Sequence, residues 1–137
     1  MSKSDFLENE LLDHRYGGSD YVRPATVYMR LHTADPGETG SGAEVSTGVW
    51  TNYAAVAITN NATNFPAAAA GSKSNGTLID FGTATISGAA PDVTHASIWD
   101  AATGGNLMDY GALASPKTIN DGDPVSVPIG DLVITET

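Results

Sequence analysis

The side chains that could do chemistry in this sequence are few and scattered. Three histidines stand at His14, His32 and His95, without the short ligand spacing of a zinc site. The chain has no cysteine, so a disulfide framework and a thiolate metal site are both excluded. A metal role would need His32 and His95 to converge in space. The plainer reading makes His32 a solvent-facing strand residue and His95 a half-buried polar one. Asp121-Gly122-Asp123 and Asp35-Pro36-Gly37-Glu38 invite a calcium reading. Neither has the downstream Glu of a full calcium loop, and such Asp-Gly pairs are ordinary turn chemistry. Gly104-Gly105 does not follow a strand and open a helix, so it reads as a turn rather than a phosphate cradle. No two carboxylates are nominated as a hydrolytic pair. The sequence therefore predicts no catalytic residue, no metal, no cofactor and no enzyme. Trp50, Tyr53, Trp99 and Tyr110 remain as residues for packing or for recognition.

The elements that must position these residues are one helix and many short strands. Ser4 is suited to cap a helix, because its hydroxyl can accept from an orphaned backbone N–H. Asp5 and Glu8 then fall in the first turn, and His14 and Arg15 in the last, as the helix dipole favours. Gly17-Gly18 supplies the left-handed stop. Phe6, Leu7, Leu11 and Leu12 make one apolar stripe, which covers its own domain or grips a neighbour. Beyond residue 18 the pattern changes to period two. Val27, Met29 and Leu31 alternate with Tyr28, Arg30 and His32. Ala54, Val56 and Ile58 alternate in the same way, facing inward. Residues 93–100 carry apolar groups on both faces, which predicts a central strand. They lead through Ala101-Ala102-Thr103-Gly104-Gly105 into a hairpin with residues 106–113, which Ser115-Pro116 ends. Residues 33–48 hold four glycines and a proline and read as a long surface loop with an acidic lobe of Asp35, Glu38 and Glu44. Residues 72–76 read as a turn on their Asn75-Gly76 signal. The fold expected is mainly β: a jelly-roll-like antiparallel sandwich of about eight short strands. Residues 1–18 form its helix and residues 19–137 its single β domain.

Composition narrows the partners. Sixteen acidic and six basic side chains give a net charge of −10, which repels phosphate. Nucleic acid and anionic membrane are excluded as partners on that ground. No apolar run approaches the ~20 residues of a membrane span. The start has one Lys followed by acids and no apolar core, so it does not read as a signal peptide. Synthesis in a host cytoplasm without export is expected.

Several segments together resemble a family of tailed-phage structural proteins usually called phage tail fibre protein. Asn9-Glu10-Leu11-Leu12-Asp13-His14 matches its opening helix, Pro24-Ala25-Thr26-Val27-Tyr28 its first strand, and Leu31-His32-Thr33-Ala34-Asp35-Pro36-Gly37-Glu38 the loop that follows. Asp100-Ala101-Ala102-Thr103-Gly104-Gly105-Asn106-Leu107 and Tyr110-Gly111-Ala112-Leu113 match its later hairpin. The likeness covers nearly the whole chain. It departs at Tyr53-Ala54-Ala55, where the family usually has Tyr-Ala-Arg. The resemblance implies a virion structural component. The compact chain without a repetitive shaft favours a capsid decoration (cement) protein that self-associates, as a trimer, and docks on the major capsid protein or another virion protein. The alternative is a tail fibre or receptor-binding tip that recognises a host-surface glycan. The residues expected to form the interface are Phe6, Leu7, Leu11, Leu12, Asp35, Glu38, Glu44 and Trp50.

Overall fold

A computed structural model of the chain describes residues 1–136. The strands are β1 (Ser2–Lys3), β2 (Thr26–His32), β3 (Val56–Thr59), β4 (Ser72–Ser74), β5 (Ile79–Thr83), β6 (Asp92–Trp99), β7 (Leu107–Thr118), β8 (Pro124–Val127) and β9 (Val133–Thr135), and the longer of them, β2 and β6, form where the sequence alternates. A helix α1 (Asp5–Arg15) lies between the first two. Five strands form an antiparallel sheet in the order β1-β7-β6-β2-β3. β6, apolar on both faces, sits at its centre, as the pattern predicts. Val27 pairs with Ile58, Met29 with Ile98 and Leu31 with Ala96, which lays one continuous apolar face. The two-stranded ribbons β5–β8 and β4–β9 complete the fold. Phe81, Val125 and Val127 of the first ribbon pack against the core that this face begins. The fold is thus mainly β, antiparallel and one-helical. Among the described residues its nine strands divide into one five-stranded sheet and two two-stranded ribbons.

Ser4 joins the helix to the sheet. Its hydroxyl accepts from the Leu7 N–H at 3.2 Å and donates to the Leu107 carbonyl, and its own N–H donates to the Met108 carbonyl at 2.8 Å. One buried serine therefore caps α1 and fixes it to β7. Gly17 is left-handed at φ +82°, and the Gly18 N–H reaches back to the Asp13 carbonyl at 2.9 Å, closing the helix as its glycines predict.

Four segments differ from their expected form, each for a local reason. Residues 72–74 are a strand, because the hairpin turn lies earlier at Ala70 and Gly71, both with positive φ (51° and 72°). Asn75 is buried instead of exposed in a turn. Its amide nitrogen donates to the Thr77 and Pro128 carbonyls at 2.8 and 3.0 Å, and its oxygen accepts from the Gly130 and Leu132 N–H groups at 3.1 and 3.0 Å. β7 runs past Pro116 to Thr118, since the register shifts between the Val93–Lys117 and His95–Ala112 pairs and a proline there owes the ladder no N–H. Ala54 is exposed, because β3 begins only at Val56.

Candidate docking surfaces

The second face of the sheet carries Tyr28, Arg30, His32, His95, Ser97 and Trp99, which pair across β2 and β6. Alternation marks this face as solvent-facing. In the structure Arg30, His32, Ser97 and Trp99 are buried, so the solvent-facing reading of His32 is corrected. The cause is the long loop. Thr33 and Val45 anchor its two ends by backbone bonds to Ala43 and Leu31, and its middle folds back over the sheet. Gly40 lies so close to Trp99 that a Cβ there would stand 2.5 Å from the indole.

Under this cover most of the polar groups satisfy one another, Arg30 Nε being left without a hydrogen-bond partner. The Trp99 indole N–H donates to Ser97 Oγ at 2.7 Å, and Ser97 Oγ lies 2.6 Å from His32 Nε2. His32 Nδ1 lies 3.0 Å from the Gly42 carbonyl, which can only accept. His32 is thus neutral and protonated on Nδ1, and Ser97 donates to its Nε2. Burial pushes the imidazole pKa below its ordinary 6.5, outweighing the Gly42 carbonyl and Glu44. The Arg30 guanidinium stacks 4.0 Å from the Trp99 ring centroid and donates to the Ala101 and Gly104 carbonyls at 2.7 and 2.8 Å. This arginine therefore holds the hairpin loop after β6. His32 and His95 do meet as cross-strand partners, but both His32 nitrogens are engaged and His95 Nδ1 lies 2.8 Å from Thr94 Oγ1. No group of three or more possible metal ligands occurs among the described residues.

The acidic residues of the loop do not make one lobe. Asp35 accepts from the Gly37 N–H at 2.8 Å. Glu38 accepts from the Tyr110 hydroxyl, a bond that pushes the phenol up to about 12. Glu44, itself exposed, accepts from the Tyr53 hydroxyl at 3.1 Å and lies 3.8 Å from Arg30.

The helix stripe divides as well. Leu7 belongs to the core, Phe6 and Leu11 pack half-buried against it, and Leu12 is 50% exposed. The stripe mainly covers its own domain. Trp50 is only 1% exposed and packs against Tyr53 and Phe81, so it is a core residue and offers no surface for stacking on a glycan. The interface residues expected from sequence thus fall into core (Leu7, Trp50), partial core (Phe6, Leu11), loop carboxylates (Asp35, Glu38, Glu44) and one outward leucine.

Pattern reading missed Arg30 and Asp109. Asp109 is 5% exposed, pairs across the ladder with Lys3, and has one carboxylate oxygen without a hydrogen-bond partner. Burial first, then Glu136, raises its pKa to about 6, against the opposing pull of the N-terminus and Lys3. The register with β1 would have shown it, but a two-residue strand leaves no sequence signal. Between the sheet and the β5–β8 ribbon lies a cleft of about 710 Å³ with Met29, Leu31, Phe81, Ala96, Val125 and Val127 in its walls. Such a lining suits an apolar side chain rather than a reaction centre. No helix among the described residues is long and apolar enough to cross a membrane.

The family described as Podophage GP4 fiber I protein gp80 matches residues 2–135. No curated protein matches the chain. The chain belongs to that family, which bears out the likeness to phage tail fibre proteins, and it is a bacteriophage virion structural protein.

Proposed function

We propose that this member of the gp80 fibre family is a non-enzymatic subunit of the phage tail fibre, which self-associates and attaches to another virion protein. The observation that carries this reading is the family match over residues 2–135. It favours the tail over the capsid-decoration role expected from the compact size. The interior fits a part built to hold shape: the buried His32, Ser97 and Arg30 are committed to fastening loops onto the sheet. Glycan recognition at a fibre tip would have to use aromatics other than Trp50.

Co-sedimentation of the tagged protein with separated heads and tails tests the reading. Pelleting with tails in a few copies per particle is the expected result. Saturable pelleting with heads in hundreds of copies would overturn it in favour of capsid decoration.

A further inference from the structure

Asn75 and Gly76 form the only Asn-Gly pair in the sequence. In such a pair no side chain shields the glycine nitrogen, and the backbone is free to bring it onto the asparagine carboxamide. The fold needs both residues. Asn75 stands directly after β4. Its side chain bonds Thr77 ahead of β5, Pro128 at the exit of β8, and Gly130 and Leu132 ahead of β9. It therefore ties the β4–β9 ribbon to the β5–β8 ribbon. Gly76 passes so close to the preceding loop that a Cβ there would stand 2.4 Å from the Thr63 carbonyl oxygen. Packing thus demands the dipeptide whose own chemistry is least stable.

In the folded chain both reacting groups are held. Asn75 is 2% exposed, and its carboxamide is engaged through both its nitrogen and its oxygen. The Gly76 N–H donates to the Asn64 carbonyl at 2.7 Å, and the Asn75 N–H to the Leu132 carbonyl at 3.2 Å. Ring closure would have to break this set of bonds together. In the unfolded chain nothing restrains it. The Gly76 nitrogen attacks the Asn75 side-chain carbonyl carbon and gives up its proton. The new C–N bond closes a succinimide, and the displaced nitrogen leaves as ammonia. Water then opens the ring at one carbonyl or the other, leaving aspartate or isoaspartate at position 75.

Neither product can remake the junction. Aspartate has no donors for the Thr77 and Pro128 carbonyls and buries a charge against them. Isoaspartate adds a carbon to the main chain at the point where the two ribbons are tied. We propose that Asn75 is a self-modification site, closed while the ribbons are joined and open when they part. A chain left unfolded is converted irreversibly into one that cannot complete its fold.

Peptide mapping by mass spectrometry tests this on the full chain, incubated folded or in urea in the same mildly alkaline buffer. Conversion at Asn75 is expected in urea and to be at least about a hundredfold slower in the folded protein, which must open locally to react. The converted chains carry an extra negative charge and separate by anion exchange. After dilution from urea they are expected to fail to regain the native circular dichroism, whereas unconverted chains from the same incubation regain it. Asn75→Asp, made directly, is expected to reproduce the defect. Equal conversion rates in the folded and unfolded chain, no conversion at Asn75 in urea, or converted chains that refold to the wild-type urea midpoint would each overturn the proposal.

Discussion

Asp109 and His32 are both buried ionisable groups, and they bend the pH dependence of stability in opposite directions. The folded pKa of Asp109 is raised from 3.8 to about 6. Within that window the folded chain keeps a proton that the unfolded chain releases, so stability falls as pH rises, and the loss is complete above about pH 6. His32 is held neutral, so below its ordinary 6.5 the unfolded chain takes up a proton that the folded chain resists, and stability falls as pH drops. Asp109→Asn should therefore stabilise the protein at pH 7 by up to about 3 kcal/mol. It should also steepen the loss on the acid side, where only the His32 contribution is left. Urea unfolding from pH 4 to pH 8 reads both effects, and an unchanged profile would reject the assignment. Ser97→Ala tests the neighbouring chain of bonds. It strands the Trp99 indole N–H and His32 Nε2 in the interior, at a cost of about 2–4 kcal/mol by denaturant titration. Neither Arg30 nor His32 is legible as an interior residue from the sequence. Alternation assigns them to one face, and only the loop folded over that face buries them.

At the level of elements, legibility followed how local the cause was. The N-cap, the charge bias and the terminal glycines of α1 lie within a few residues of one another, and the helix could be read from them. β6 and its hairpin with β7 could be read because each is long enough for its pattern to repeat. β1 and β4 are two and three residues long and exist through partners far away in sequence, so no pattern announces them. Glycines separate the two kinds of cause experimentally. Gly17 needs its positive φ but has open space where a Cβ would go, so Gly17→Ala carries only backbone strain, about 1 kcal/mol. Gly40 has φ +67° and would also drive a Cβ into the Trp99 ring. Gly40→Ala should destabilise by clearly more, on the order of 2–4 kcal/mol, because the ring is packed and cannot retreat. Equal losses in thermal unfolding would mean that the loop does not seal the sheet.

For the whole molecule, composition and the long motifs were legible, as the virion family and the mainly β fold attest. The covering of the second sheet face and the three-way division of strands were not, because both depend on contacts across the chain. That covering makes a spectroscopic prediction. Trp50 and Trp99 are 1% and 7% exposed, so tryptophan emission should be blue-shifted and acrylamide should quench it weakly until the protein unfolds. Strong quenching of the native protein would place an indole in solvent. The clasp between the two chain ends carries a kinetic consequence. Ser4 meets Leu107 across 103 residues, Met1 meets Val133 across 132 and Lys3 meets Glu136 across 133. The helix can form from its own residues, but it cannot be seated until strand β7, about a hundred residues later, is in place. With contacts this distant in sequence, folding belongs to the millisecond-to-second regime of high-contact-order β proteins.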